Sequence, residues 1–264
     1  MSEKEATAET RSIVIEKTID LPPEIVWQTI TDPNEISRWF PLEARVDPQI
    51  GGQVWLSWGP GCEGEAPIHV FEAPNRFGWT ENYGNDAEGN PIEVAVDFYI
   101  EARDGATVVR LVQSGFSADA EWDEMYDAIV DGWTYFMFNL AFYLTKHRGK
   151  PRRMAWRRIA TDMTREAVWE RLIGGALVSA AAGVAPGTEF EFHLADAHRG
   201  EVVSARIGHH FAGTVPGMDD SLLFVELEGQ HVGIWLSTYG TEADDVARLQ
   251  RELDDRLEGV LVAS

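Results

Sequence analysis

Between residues 119 and 145 the chain carries its longest apolar periodicity. Trp122, Met125, Tyr126, Ile129, Trp133, Phe136, Met137, Leu140 and Leu144 recur at intervals of three and four, which places them on one broad stripe of an α-helix. Tyr135, Phe138 and Phe142 fall on the opposite side of the same helix. A helix that is apolar on both sides must be covered on both sides. The stripe itself has two readings: a packed core, or the wall of a cavity, since Met and Trp fill irregular space adaptably. The second cover comes from the residues that follow, which is the economical choice, or from another copy of the chain.

What precedes the helix reads as a sheet. From residue 42 to 116 the period changes to two, punctuated by Gly51-Gly52, Gly59-Pro60-Gly61, Ala73-Pro74-Asn75, Glu88-Gly89-Asn90 and Asp104-Gly105. Ile92, Val94, Val96, Phe98 and Ile100 point to one face, and Glu93, Asp97, Tyr99 and Glu101 to the other. Short turns between such strands make an antiparallel meander. Ahead of it, residues 12–20 alternate as a half-buried strand, and Leu21-Pro22-Pro23-Glu24 opens a helix with proline in its first turn. Thr31-Asp32-Pro33 ends that helix and begins a second short one toward Arg38-Trp39-Phe40. The expected class is α+β: a curved antiparallel sheet wrapped around a long C-terminal helix.

These residues resemble a known family. Pro22-Pro23-Glu24-Ile25-Val26-Trp27, Thr31-Asp32-Pro33 and Arg38-Trp39-Phe40 are similar to the opening of the activator of heat-shock-protein-90 ATPase homologue family, in the START-like SRPBCC superfamily. Gly51-Gly52 before a strand, Phe71-Glu72-Ala73-Pro74-Asn75-Arg76-Phe77 with Trp79, Gly105-Ala106-Thr107 leading to Ser114-Gly115-Phe116, and Asp131-Gly132-Trp133 follow in the family's order. The resemblance implies the helix-grip fold for residues 11–146. It implies no single reaction, because the family's members include ligand carriers, cyclase-like enzymes, sensors and co-chaperone domains.

Residues 155–264 read as a shortened, divergent copy of the same fold. Thr164-Arg165-Glu166-Ala167-Val168-Trp169 echoes Pro22 to Trp27, and Val184 to Phe190 stands where the first copy has Gly51-Gly52 and its following strand. Strands are expected over 201–215, 221–228 and 231–238, and a helix over 241–260 with Val246, Leu249, Leu253, Leu257 and Val260 on one stripe. The basic run over residues 147–154, between the copies, reads as a linker, its cations offsetting a helix C-terminus.

Charge narrows the function. Acidic residues outnumber basic ones 44 to 22, a net charge of −22, whose field repels phosphate backbones and anionic lipid. Neither nucleic acid nor membrane is expected as a partner. The excess serves solubility or, more sharply, a high-salt cytoplasm. The polar, acidic N-terminus and the absence of a long apolar run lead to a cytoplasmic expectation. The single Cys62 makes no internal disulfide, and His209-His210, adjacent in an expected strand, would point to opposite faces. No metal site and no cofactor are expected.

Chemistry requires polar groups converging inside the cavity. Phe77, Trp79 and Glu81 share a face; if it is the inner one, Glu81 is a carboxylate beside tryptophan, and otherwise it lies in solvent at the strand end. Gln113, in line with Val109 and Leu111, is the second polar candidate. No GxGxxG, HExxH or GxSxG pattern is present. The expected function is binding of a small hydrophobic or aromatic ligand by some of Trp39, Phe40, Trp58, Phe77, Trp79, Phe98, Trp133, Phe136 and Met137. The alternatives are a cyclase- or hydrolase-like enzyme using Glu81 or Gln113, and a protein-binding co-chaperone-like module. The chain is expected as a monomer or a homodimer.

Overall fold

The computed structural model describes residues 10–85 and 89–261; the polar N-terminal stretch read above falls, up to residue 9, outside them, as does Glu88 of the turn Glu88-Gly89-Asn90. Its first unit, residues 1–148, opens with strand β1 (Thr10–Ile19) and two short helices, α1 (Pro23–Thr31) and α2 (Pro33–Ile36). The Asp32 carboxylate starts α2 by accepting from the backbone N–H groups of Asn34 at 2.8 Å and Glu35 at 3.2 Å. The meander follows: β2 (Glu43–Val46), β3 (Gln53–Ser57), β4 (Glu63–Glu72), β5 (Arg76–Asn85), β6 (Pro91–Arg103) and β7 (Ala106–Ser117). They form one antiparallel sheet in the order β1-β7-β6-β5-β4-β3-β2. Helix α3 (Asp123–Phe142) lies over its inner face, and a π turn at Tyr143–His147 ends it.

The apolar stripe of α3 is buried unevenly. Its fully buried residues begin at Trp133; Trp122, Tyr126 and Ile129 are half-buried, and Met125 is 36% exposed. The N-terminal half therefore covers the sheet loosely, although its periodicity is as regular as that of the C-terminal half.

The second unit, residues 149–264, repeats the plan. It runs β8 (Arg152–Ala160), α4 (Arg165–Ile173), β9 (Val178–Ser179), β10 (Glu189–His193), β11 (Ala197–Arg206), β12 (His210–Val215), β13 (Ser221–Glu228), β14 (His231–Tyr239) and α5 (Ala243–Leu257). Its sheet order, β8-β14-β13-β12-β11-β10-β9, is that of the first sheet element for element. One helix replaces two, and the chain is a helix-grip fold in two copies.

Two expectations need correcting here. Arg152 and Arg153, expected in the linker, begin β8, where they pair with Tyr239 and Thr238. This strand is an edge strand whose one fully buried residue is Ala155, so its apolar alternation is masked by arginines. The run 201–215 is two strands, not one: the chain turns at Ile207-Gly208-His209, which puts His209 in the turn and leaves only His210 in a strand.

The two copies align residue by residue. A register shift falls between Ile68 and Val70 in the first sheet and between Val202 and Ser204 in the second. Gly51 N–H donates to the Ile68 carbonyl at 2.8 Å, and Gly187 N–H to the Val202 carbonyl at 2.8 Å. Gly51 thus corresponds to Gly187, and Ile68 to Val202. Counting outward along the paired strands sets Trp79 against Gly213, Glu81 against Val215 and Gln113 against Leu236.

Candidate functional site

The motif residues Arg38-Trp39-Phe40 tie the short helices to α3. Trp39 donates its indole N–H to the Thr29 carbonyl at 3.0 Å, and Asn139 of α3 donates to the Trp39 carbonyl at 2.6 Å. Arg38 and the Tyr143 hydroxyl both donate to the Glu35 carboxylate, at 2.6 and 2.8 Å. Phe40 is thereby held at the centre of an aromatic cluster, with ring centroids 4.9 Å from Trp133, 4.7 Å from Phe136 and 5.2 Å from Trp58. Phe98 adds Trp79 and Trp133, each at 5.9 Å, and Phe77 lies 5.5 Å from Trp79. Met137 is fully buried on the same helix.

Inside this cluster the cavity measures about 10 Å³ and is lined by Ile30, Ile36, Trp39, Phe40, Val54, Leu56, Phe77, Trp79 and Phe98. That is room for one water at most. Of the expected ligand-binding residues, Trp39, Phe40, Phe77, Trp79 and Phe98 line it, while Trp133 and Phe136 join through Phe40. This cavity is closed by its own side chains, so a ligand there needs it to open.

Beyond Trp79, outside the residues that line this cavity, the inner face of β5 turns polar. Alternation along β5 puts Trp79, Glu81 and Tyr83 on the inner face, so Glu81 does not lie free in solvent. Glu81 Oε1 accepts from the Trp79 indole N–H at 2.9 Å; Oε2 accepts from the Tyr83 hydroxyl at 3.0 Å and from the Gln113 amide at 3.3 Å. Gln113 in turn accepts from the Trp133 indole N–H at 2.6 Å. An indole can only donate, which fixes which end of the Gln113 amide faces it and leaves the NH₂ for the carboxylate. Among the described residues every donor to Glu81 is neutral. Burial pushes its carboxyl above the ordinary glutamate value, against the hydrogen bonds from Trp79 and Tyr83, which favour the ion. Burial and the adjacent carboxylate push the Tyr83 phenol upward as well.

Outside this polar girdle lies a second aromatic group. Tyr83 stands 6.2 Å from Phe116 and 6.3 Å from Trp122, and Phe116 is 5.4 Å from Tyr126. The Arg11 guanidinium sits 4.3 Å over the Tyr126 ring and pairs with Asp123 at 2.6 Å. Sequence reasoning reached Glu81 and Gln113 but missed Tyr83, which the same alternation, carried two residues further, would have found.

The second copy provides an internal comparison. At the positions of Trp79, Glu81 and Gln113 it has Gly213, Val215 and Leu236, the last two fully buried in an apolar core. Phe190, which corresponds to the cavity-lining Val54, lies against Gly213: a Cβ there would come within 2.3 Å of its ring. The girdle belongs to the first copy alone.

On the outer face of the first sheet, Asp97 is buried and accepts from Arg76 at 2.9 Å, with His69 at 3.2 Å and Thr80 3.0 Å beyond the imidazole. Gly78 permits this approach, since a Cβ there would meet both Asp97 and His69 within 3.0 Å. In the second unit His193 and His210 each pair with a serine, Ser179 and Ser204, at 2.7 Å. Among the described residues no group of three or more His, Cys, Asp or Glu converges as metal ligands would. No helix among them is long and apolar enough to cross a membrane.

A family model described as Activator of Hsp90 ATPase homolog 1-like protein matches residues 20–145. No curated protein matches the chain. Among solved structures, protein MLL2253 from Mesorhizobium loti is 25% identical over 51% of this chain and 97% of its own, with a TM-score of 0.46. The Aha1 dimer from Colwellia psychrerythraea is 19% identical over 51% and 96%, with a TM-score of 0.43. DynU16, a protein in the dynemicin biosynthetic locus, is 18% identical over 95% of this chain and 96% of its own, with a TM-score of 0.43.

Proposed function

We propose that the first unit of this chain, whose residues 20–145 match the Activator of Hsp90 ATPase homolog 1-like family model, binds a small, largely aromatic molecule in its interior, between the sheet and α3. One observation carries the reading: the polar girdle of Glu81 and Gln113 sits between two aromatic clusters in the first copy, whereas the second copy fills the same positions with Val215 and Leu236. A fold that needs only stability does without a carboxylate there. Entry is by way of the N-terminal half of α3, which contributes no fully buried residue before Trp133. Displacing a ring of phenylalanine size from the cluster costs about 2 to 3 kcal/mol of apolar burial, which a ligand of similar area restores.

The test is native mass spectrometry of the purified full chain, followed by a thermal-shift screen of aromatic compounds. A retained small molecule, or a compound that raises the melting temperature, is the expected result. A clean apo mass together with no stabilising compound overturns the reading. The upward pull on the Glu81 carboxyl supports a second reading, proton transfer to or from a bound substrate. In that case Glu81→Gln abolishes turnover and leaves affinity largely intact.

A further inference from the structure

Resting on that reading of the interior, we infer that the bound molecule is a cation, a protonated amine whose N–H is seated on Glu81 at the junction of the two aromatic clusters.

The charge balance of the site supplies the first reason. Among the described residues Glu81 has three partners, all neutral: the Trp79 indole, the Tyr83 hydroxyl and the Gln113 amide. A half-buried carboxylate with neutral donors only is, when ionised, a negative charge with no positive side chain among its described partners, and such a charge destabilises a fold unless something compensates it. The second copy shows that the fold closes with valine at this place. What the first copy retains by keeping glutamate is a negative group that an incoming cation can neutralise.

Hydrogen-bond geometry narrows the cation. Oε2 already accepts twice, but Oε1 accepts only from Trp79. A carboxylate has about four lone-pair sites in all, so Oε1 retains room for one more donor. An ammonium group bearing N–H fits that vacancy, and a quaternary ammonium, with no N–H, does not use it. The walls suit the charge as well, because Tyr83, Trp122 and Trp133 are electron-rich rings that attract cations in a partly desolvated setting. At long range the net charge of −22 draws cations toward the protein and repels anions.

The experiment compares two ligands of one shape, naphthylmethylammonium and the neutral naphthylmethanol, titrated into the full chain at neutral pH with tryptophan fluorescence as the readout. The cation is expected to bind at least tenfold more tightly than the alcohol. In Glu81→Gln the two affinities are expected to converge. Glu81→Asp guards against a folding defect: it retains the charge and, if folded by circular dichroism, retains part of the preference. Equal affinities in the natural protein, or a preference that survives Glu81→Gln, overturn the assignment of a cation while leaving an aromatic pocket standing. Binding of neither compound overturns the pocket along with it.

Discussion

Glu81 makes a prediction about pH. Its carboxyl is raised in the folded state, so the folded protein holds a proton that the unfolded chain releases earlier. The stability this group contributes is full below the unfolded glutamate value and is lost as pH rises through the raised folded value. Urea midpoints measured across the acidic range should therefore carry a component that falls with rising pH and is absent from Glu81→Gln. The neighbouring Tyr83 stays protonated throughout that range, since its own shift is upward. Asp97 makes the opposite kind of case, a buried carboxylate that does have its cation. Arg76→Ala leaves it facing only His69 and should cost about 1.5 to 3 kcal/mol, the usual worth of a hydrogen bond to a charged group. Adding Asp97→Asn should recover part of that loss, because a neutral amide needs no counterion; equal midpoints for the single and double variants would contradict this. Strand alternation set Asp97 opposite Phe98 and put Glu81 on the face of Trp79, but left open whether Glu81 lies inside or in solvent at the strand end. Their partners could not be assigned in this way, because Gln113 reaches Glu81 from two strands away and Arg76 reaches Asp97 across a strand pair, distances that exist only after the sheet has formed.

Among the elements, α3 most rewards comparison with its sequence. Its periodicity announced a long helix under a sheet, and that is what forms, but periodicity carries no information on how closely each turn is covered. Gly132 stands where the loosely covered half meets the buried half, and a Cβ there would meet nothing nearer than Phe136 at 3.9 Å. Gly132→Ala should therefore stabilise the helix by about 0.5 to 1 kcal/mol. Hydrogen exchange over residues 123–131 should slow in this variant, and ligand association and dissociation should slow together with little change in affinity. Unchanged exchange would place the opening elsewhere than in α3. Strand β8 shows the reverse failing: its sequence hides a regular element, because arginine stems occupy an edge strand whose fully buried contribution is one alanine.

For the whole molecule, two copies of one topology carry different interiors, and the difference lies in matched positions. Where the first sheet has Trp79, Glu81 and Gln113, the second has Gly213, Val215 and Leu236, with Phe190 filling the space. Duplication was legible from element order, and so was the match of Val184 to Phe190 with Gly51-Gly52 and its strand, but this contrast was not, because the residue-level register that carries it across the sheet emerges only from hydrogen bonds. Charge is the property that acts on the chain as a whole. A net charge of −22 means that surface carboxylates repel one another on average, and the unfolded chain relieves this by moving them apart. Salt reduces that repulsion, since the screening length falls from about 10 Å at 0.1 M to about 3 Å at 1 M. Exposed ion pairs such as Arg248 with Glu252 lose strength under the same screening, but each contributes only about 0.2 to 1 kcal/mol and acidic groups are twice as many as basic ones. Repulsion should dominate, so the thermal midpoint should rise as KCl is increased from 0.1 to 1 M, steeply at first and then less. A midpoint independent of KCl would show that the carboxylates lie too far apart to interact, and would remove the case for an acidic surface fitted to a salty cytoplasm.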